Sequence, residues 1–317
     1  MFVSKKKVVL VGTGMVGMSF AYAALNQGLC DELVLIDINK KRAIGEAMDL
    51  NHGLAFSRSS VKIYAGDYHD CSDADVVVIC AGVNQKPGES RLDLLKRNYE
   101  VFSSIVPSVT QSGFEGIFVV ATNPVDIMTR ITYELSGFEA EKVIGTGTTL
   151  DTARLRYLLG EYFEVDPRNI HAYVIGEHGD SEFVPWSQAL LAAKPIKDVL
   201  LDNPNTYFLD ELEKIRGEVR NAAQEIIEAK SATYYGIGMA IVRVVRAVLE
   251  NENSVLTVSV RLRGEYGGKK DVFLGNPAIV SSSGAKRILE LRLTNEEQAL
   301  LTNSYNILGE NFKTLGI

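Results

Sequence analysis

The sequence lacks any long hydrophobic run. No apolar stretch approaches the ~18 residues that a transmembrane helix requires. Near the N-terminus, three consecutive lysines are separated from Gly12 by only four apolar residues. That stretch is too short for the apolar region of a signal peptide. We therefore expect a soluble, cytoplasmic protein without a membrane partner.

The chain also has few cysteines and fewer basic than acidic residues. The chain contains three cysteines, Cys30, Cys71 and Cys80, and none of them forms a C-x-x-C pair. An odd count without disulfide or metal spacing suits a reducing compartment, and Cys80 follows an apolar strand-like run that predicts a buried thiol. The net charge is −7. Because nucleic acids are bound by broad basic surfaces, we expect no nucleic-acid partner.

Short apolar runs alternate with helical patterns through the first half of the chain. Val8–Val11 predicts a buried strand, Met15–Gln27 a helix and Leu33–Ile36 a second strand. Four more strands are predicted near residues 61–64, 76–80, 117–121 and 143–144. Apolar strands that alternate with helices are typical of a parallel sheet covered on both faces. We therefore predict an α/β fold, a doubly wound parallel sheet of the Rossmann type.

The pattern changes after residue 147. Helices are expected over Asp151–Glu161, Asp210–Glu250 and Asn295–Gly309, and strands near 170–175, 256–261 and 271–274, the last two joined by a turn at 264–268. Gly236 and Gly238, inside the long helical pattern, indicate a bend or close packing. No second nucleotide motif is present. We predict a nucleotide-binding domain over residues 1–147 and a mixed α+β substrate domain over 148–317.

A glycine-rich turn follows the first predicted strand. Gly12, Gly14 and Gly17 have the G-x-G-x-x-G spacing, and Asp37 ends the second strand 20 residues after Gly17. The glycines let the backbone approach a pyrophosphate at the helix N-terminus, and the carboxylate accepts hydrogen bonds from ribose hydroxyls. Ile38 follows where an arginine would favour a 2′-phosphate, so NAD is preferred to NADP. The predicted cofactor residues are Gly12, Gly14, Met15, Val16, Gly17, Asp37, Ala81, Gly82 and Asn123.

Four further segments occur in a fixed order. They are Gln-Lys-Pro-Gly-Glu-Ser-Arg at 85–91, Ala-Thr-Asn-Pro-Val-Asp at 121–126, Leu-Asp-Thr-Ala-Arg at 150–154 and Gly-Glu-His-Gly-Asp at 176–180. With these segments the chain strongly resembles, over nearly its whole length, the L-lactate/L-malate dehydrogenase family, and within it the bacterial L-lactate dehydrogenases. The resemblance implies reversible hydride transfer between NADH and pyruvate, giving L-lactate and NAD⁺ in fermentative glycolysis.

Hydride transfer from an alcohol carbon requires a group that takes the hydroxyl proton. Of the four histidines, His178 lies between Gly176 and Gly179 in a loop after an apolar strand, where an imidazole can reach a pocket. The resemblance implies that His178 pairs with Asp151. A neighbouring carboxylate fixes the imidazole tautomer and favours its protonated form, so His178 can act as acid or base.

Positive charge is needed for the substrate carboxylate and carbonyl. Arg154 is three residues after Asp151, on the same helix face, and an arginine fork suits a planar carboxylate; a surface ion pair with Asp151 is the simpler alternative. The resemblance implies that Arg154 binds the carboxylate, that Arg91 closes over the carbonyl with its polar segment, and that Asn123 and Thr233 line the pocket. We expect no metal ion in the site.

Gln85 discriminates between substrates. By resemblance, malate dehydrogenases carry an arginine at this position, which pairs with the second carboxylate of oxaloacetate. A neutral glutamine leaves that buried charge unpaired, whereas pyruvate has no second carboxylate. We therefore expect a lactate enzyme; a malate or broad L-2-hydroxy-acid dehydrogenase is the alternative.

Two cationic residues indicate regulation. Arg156 and His171 match positions that bind fructose 1,6-bisphosphate between subunits in bacterial L-lactate dehydrogenases, and Arg168 is close in sequence. The resemblance implies an allosteric homotetramer, a dimer of dimers, activated by this effector. The alternative is an ordinary exposed arginine and histidine.

Overall fold

The computed structural model describes residues 5–83, 91–268 and 271–314. The strands are β1 Lys7–Val11, β2 Glu32–Ile36, β3 Lys62–Ala65, β4 Val76–Ile79, β5 Ile117–Val120, β6 Val143–Gly145, β7 Ile170–His171, β8 Leu190–Leu191, β9 Lys194–Pro195, β10 Ser254–Leu262, β11 Val272–Ser281 and β12 Gly284–Ile288. The helices are α1 Met15–Gln27, α2 Lys40–Gly53, α3 Arg91–Gln111, α4 Val125–Ser136, α5 Thr149–Tyr162, α6 Ile196–Asp202, α7 Leu209–Lys230, α8 Tyr235–Leu249 and α9 Asn295–Lys313.

The first six strands form a parallel sheet in the order β3-β2-β1-β4-β5-β6. The chain runs outward from β1 in one direction through β2 and β3, and then in the other direction through β4, β5 and β6. The point where the order reverses lies between β1 and β4, which is where a doubly wound sheet opens a crevice at the carboxyl ends of its strands. The predicted fold class is confirmed.

Alternating residues of the strands face two apolar cores. In β1, Val8 and Leu10 pack in a core with α1, α2 and α8, whereas Val9 and Val11 pack in a core with α3, α4 and α9. All four side chains are at most 2% exposed. Strands buried on both faces are apolar at every position, which is why the sequence shows short continuous apolar runs here.

Three antiparallel strands from the second half extend the same sheet. Ser259 of β10 pairs with Gly145 of β6, and β11 and β12 follow in order. The predicted hairpin between β10 and β11 is confirmed, with Leu262 opposite Val272. A small sheet of β7, β8 and β9 and a third apolar core formed with α5, α6 and α7 complete the second half.

The strand predicted near 170–175 is wrong for most of its length. Only Ile170–His171 pairs as a strand, and Ile175 forms an isolated bridge with Phe183. Between these two points, the backbone is hydrogen-bonded by threonine hydroxyl groups and not by a neighbouring strand. Thr148 donates a hydrogen bond to the carbonyl oxygen of Val174 at 2.6 Å, and the N–H of Val174 donates to Thr152 Oγ1 at 2.9 Å.

The long helical pattern over 210–250 is two helices. The break lies at 231–234, where Ser231 ends α7 with a φ of 67°. Gly236 and Gly238 lie inside α8, after the break. A Cβ atom at Gly238 would be 2.8 Å from the carbonyl carbon of Ser19 in α1, so this glycine serves close helix packing and not a bend. Among the described helices, none has the length and apolar character of a membrane span.

Candidate active site

Three glycines shape the turn between β1 and α1. Gly12 has a φ of 102°, and a Cβ atom there would be 2.4 Å from the backbone nitrogen of Ala81. A Cβ atom at Gly17 would be 2.0 Å from the carbonyl oxygen of Gly12. At Gly14, the N-cap residue directly before α1, a Cβ atom would meet nothing within 4 Å. Two glycines therefore allow close packing, and the third leaves open space at the helix N-terminus, where a phosphate is favoured.

Asp37 lies directly beyond β2 and beside this turn. Its Oδ2 accepts hydrogen bonds from the N–H and the hydroxyl of Thr13, both at 2.8 Å, and its Oδ1 accepts from the N–H of Asn39 at 2.9 Å. Burial raises the pKa of Asp37, but these hydrogen bonds and nearby Arg42 outweigh it and lower the pKa. Ile38 is fully exposed. An ionised carboxylate next to an apolar residue fits a ribose without a 2′-phosphate.

The other predicted cofactor residues surround the crevice between β1 and β4. Met15 is exposed on the first turn of α1 and Val16 is half-buried. Ala81 and Gly82 follow β4, and Asn123 follows β5 with an exposed side chain. The carboxyl ends of adjacent strands thus bring these segments together, as a dinucleotide site requires.

Asn98 in α3 ties two of these segments together and was missed from the sequence. Its side-chain oxygen accepts a hydrogen bond from the N–H of Val83 at 2.9 Å, and its amide donates to the carbonyl oxygen of Asn123 at 3.1 Å. Asn98 is 1% exposed. The available signal was a polar amide on the apolar face of a helix, since a buried amide needs partners.

His178 and Asp151 form a hydrogen-bonded ion pair. The His178 Nδ1 lies 2.7 Å from Asp151 Oδ2; the Asp151 side chain is 2% exposed and that of His178 is 25% exposed. Burial lowers the pKa of His178, but the charge and hydrogen bond of Asp151, with smaller contributions from Glu182 and Asp126, outweigh it and raise the pKa to about 9. The same pairing lowers the pKa of Asp151 against the effect of its burial. The imidazole is therefore protonated at neutral pH.

The loop that carries His178 is fixed by backbone contacts. The N–H of His178 donates to Asp126 Oδ2 at 2.8 Å, and Asp126 lies in the first turn of α4. Ser259 in β10 donates to the other oxygen of this carboxylate at 2.5 Å. Gly176 exchanges two backbone hydrogen bonds of 2.9 Å with Gly275. Asp126 thus anchors the histidine loop to the first half of the chain, a role that the sequence did not indicate.

Arg154 shares Asp151 with the histidine. Its Nη1 lies 2.8 Å from Asp151 Oδ1, and its side chain is 14% exposed. The ion pair considered as the simpler alternative is therefore present, but it is largely buried. A partly buried arginine beside a protonated imidazole is a cationic site that can receive a carboxylate.

The structure says less about three of the predicted substrate residues. Gln85 lies outside the described residues, and Arg91 begins α3 with a side chain that is also outside them. Thr233 is half-buried in the connection between α7 and α8. A Cβ atom at Gly236 would be 3.0 Å from Leu150 Cδ1, so the start of α8 packs against the residue preceding Asp151.

The predicted effector residues are neighbours. Arg156 Nε donates to the carbonyl oxygen of Ala172 at 3.1 Å, which brings it beside exposed His171. The Arg156 guanidinium also lies over the ring of Tyr173, 5.1 Å from its centroid. Arg168 instead forms two hydrogen bonds with Asp166, at 2.7 and 2.9 Å.

Glu182 is a further buried group at this site, and the sequence did not reveal it. One atom from each of Asp151, His178 and Glu182 lies within 4.8 Å of the other two. Such spacing can also hold a metal ion, but here the Arg154 guanidinium already supplies the cation next to Asp151. Burial, with Asp151 nearby, raises the pKa of Glu182 to about 8.

Comparison with known proteins shows which family has this fold and this arrangement of residues. Residues 6–145 match the lactate/malate dehydrogenase NAD-binding domain, and residues 148–315 match the α/β C-terminal domain of the same family. L-lactate dehydrogenase 2 of Bacillus cereus is 53% identical over 304 residues, covering 96% of each chain. The crystal structure of a lactate dehydrogenase enzyme from a Medee basin deep-sea metagenome library has a TM-score of 0.97 and 52% identity, covering 99% of this chain and 100% of that one.

A second solved structure is similarly close. The minor L-lactate dehydrogenase of Enterococcus mundtii, in its ligands-bound form, has a TM-score of 0.96 and 48% identity, covering 98% of this chain and 99% of that one. The matches cover both halves of the chain. The sheet order and the pairing of His178 with Asp151 are consistent with the same family. The chain belongs to the lactate/malate dehydrogenase family, and its first half is the NAD-binding domain of that family.

Proposed function

We propose that the protein is an NAD-dependent L-lactate dehydrogenase that interconverts pyruvate and L-lactate. The observation that carries the proposal is the contact of His178 with buried Asp151 at 2.7 Å, with Arg154 bound to the other oxygen of the same carboxylate. A proton donor and a carboxylate-binding cation at one site are what the reduction of a 2-keto acid requires. Residues 1–147 form the cofactor domain in this proposal and 148–317 the substrate domain, in a cytoplasmic enzyme of fermentative glycolysis.

In this proposal, different residues contact different parts of the cofactor. The open space at Gly14 and the N-terminus of α1 receive the pyrophosphate, together with Met15 and Val16. Asp37 accepts hydrogen bonds from the ribose, and Ala81, Gly82 and Asn123 line the nicotinamide end. When bound, NADH supplies the hydride for the carbonyl carbon.

The proton follows a separate route through His178. Asp151 holds Nδ1, which leaves Nε2 available to the substrate. In pyruvate reduction, His178 donates the Nε2 proton to the carbonyl oxygen as the hydride reaches the carbon, and the imidazole becomes neutral. In lactate oxidation the neutral imidazole accepts that proton. Arg91 stabilises charge on the carbonyl oxygen, with Asn123 as a hydrogen-bond donor, and Thr233 lines the pocket near the substrate methyl group.

The substrate choice is tested at Gln85. We expect kcat/KM for pyruvate to exceed that for oxaloacetate at least ~100-fold, because a second carboxylate would be buried without a partner. Gln85→Arg is expected to move this ratio toward oxaloacetate by a similar factor. NADH oxidation with both keto acids measures it, and Lys86→Arg, which adds no charge, is the control. Equal rates with the two substrates in the unaltered enzyme would instead establish a broad 2-hydroxy-acid dehydrogenase.

Exposed apolar side chains support assembly with further copies of this chain. Tyr22 on α1, Ile44 and Met48 on α2 and Met239 on α8 are each at least 50% exposed. Large apolar side chains exposed in this number on a few helices are often covered at subunit interfaces. We propose a homotetramer, a dimer of dimers, with Arg156 and His171 at a fructose 1,6-bisphosphate site between subunits.

The effector proposal predicts a change in pyruvate affinity. Fructose 1,6-bisphosphate is expected to lower the KM for pyruvate about tenfold, within the usual range of allosteric coupling. Arg156→Gln should abolish this response because the guanidinium would bind a phosphate group. Initial rates with and without the effector measure the response, and fructose 6-phosphate, with one phosphate group, is the control. A KM that is the same with and without the bisphosphate would refute the site.

A further inference from the structure

Glu182 places a second carboxyl group at the proton-transfer site. It is 7% exposed, and one of its oxygens lies within 4.8 Å of both the Asp151 carboxylate and the His178 ring. Among the side chains that the structure describes, which exclude those of residues 84–92, and the described backbone, no donor forms a hydrogen bond with this carboxyl group. A buried carboxylate without donors is costly, and it favours the protonated form.

The backbone fixes Glu182 next to the histidine. Phe183, 1% exposed, exchanges backbone hydrogen bonds of 2.9 and 3.0 Å with Ile175 and closes the loop. The N–H of Glu182 donates to the carbonyl oxygen of Gly179 within the same loop at 3.2 Å. The seven residues between Ile175 and Phe183 therefore hold His178 and Glu182 on one short, closed segment.

Charged groups from three other elements act on this pair. Asp151 and Arg154 face Glu182 from α5, and Arg220 acts on it from α7. Asp126, in α4, acts on the histidine. Burial and Asp151 raise the pKa of Glu182, whereas His178 and the two arginines lower it, and the result is a pKa of about 8. Since two carboxylates at one site resist simultaneous ionisation, Glu182 is the one that stays neutral at pH 7.

We propose that Glu182 is a positioning residue of the proton-transfer site, whose own charge controls how firmly His178 holds its proton. The inference rests on the proposed function of His178. While Glu182 is neutral, Asp151 is the only carboxylate in the cluster of three that stabilises the imidazolium. Once Glu182 ionises, a second negative charge adds to the first. His178 then keeps its proton, and pyruvate reduction continues, in more alkaline solution than Asp151 alone would allow.

The variant Glu182→Gln tests this coupling through the pH profile. At pH 6 we expect its kcat/KM for pyruvate to stay within about threefold of the unaltered enzyme, because both side chains are neutral there. The alkaline midpoint of the profile should fall by about one pH unit, which gives about tenfold lower kcat/KM above both midpoints. Glu177→Gln, one residue before His178, is the matched control, since this carboxylate accepts the Ser181 hydroxyl instead, and its midpoint should move less.

Infrared spectroscopy provides a readout that does not depend on activity. The unaltered protein should show a protonated carboxyl band that persists at pH 7 and disappears with a midpoint near 8, and Glu182→Gln should lack it. Burial raises the pKa of Asp126 only to about 6, so a band from this carboxyl group would disappear at a lower pH. If Glu182→Gln does not fold, Glu182→Leu removes the same group without burying an amide.

The outcomes separate the inference from the proposed function. The coupling would be overturned if the unaltered protein showed the expected band but Glu182→Gln had the same alkaline midpoint. It would also be overturned if Glu182→Gln lost kcat/KM equally at every pH. Absence of the band from the unaltered protein at pH 7 would overturn it without any variant. If the unaltered protein showed the band but reduced no 2-keto acid, the proposed function would be wrong. The band would still establish a buried, neutral carboxyl group.

Discussion

His178→Gln is expected to reduce kcat/KM for pyruvate by about 10²- to 10⁴-fold, the usual contribution of a positioned general acid. Glutamine retains a hydrogen-bonding group of similar reach but has no proton to transfer at neutral pH. The protonated state of His178 depends mainly on Asp151 at 2.7 Å, which together with smaller contributions from Glu182 and Asp126 raises the pKa of the imidazole to about 9 against the effect of burial. Pyruvate reduction in the unaltered enzyme should therefore continue up to that pH and decline above it.

The measurement is NADH oxidation under steady-state conditions, with NADH affinity followed separately by fluorescence. We expect NADH affinity to change little, because the glycine turn and Asp37 lie on other segments. His69→Gln, which alters an exposed histidine beyond β3, is the matched control. A His178→Gln enzyme with unaltered kcat/KM would remove the proton-transfer assignment. A parallel loss of NADH affinity would indicate a disturbed fold instead.

The candidate cofactor site follows from local sequence features, whereas the candidate proton-transfer site does not. The glycine turn is a local feature, because Gly12, Gly14 and Gly17 act within one strand–helix connection. The contact between His178 and Asp151 instead joins residues 27 apart, and the prediction depended on family resemblance. Local periodicity carries no information about such a contact, which only the tertiary fold creates.

The residues that were missed act at still longer range. Asp126 contacts the N–H of His178 across 52 residues and Ser259 across 133. Nothing in the local pattern of α4 distinguishes this aspartate from one that favours the N-terminus of a helix by its charge. The break between α7 and α8 was misplaced for a similar reason. Ser231 has the left-handed conformation there without a glycine to mark it.

Arg154 provides the second large expected effect. Arg154→Gln should reduce kcat/KM for pyruvate by about 10²- to 10⁴-fold, because two charge-assisted hydrogen bonds of about 1.5–3 kcal/mol each would be lost. The loss should appear mainly as a higher KM if the guanidinium binds the carboxylate equally in the ground and transition states. Arg154→Lys keeps the charge but not the fork, so we expect an intermediate KM.

Arg154 also contacts Asp151 at 2.8 Å, so a purely structural role must be separated from substrate binding. The pH profile does this. If the arginine acted only by orienting Asp151, its removal would alter the alkaline limb set by His178, and lysine would restore that limb. If it binds the substrate, KM rises at every pH, and added guanidinium restores part of the activity of Arg154→Ala. A KM for pyruvate that is unchanged in Arg154→Gln would leave the carboxylate without its proposed partner and would point instead to Arg91.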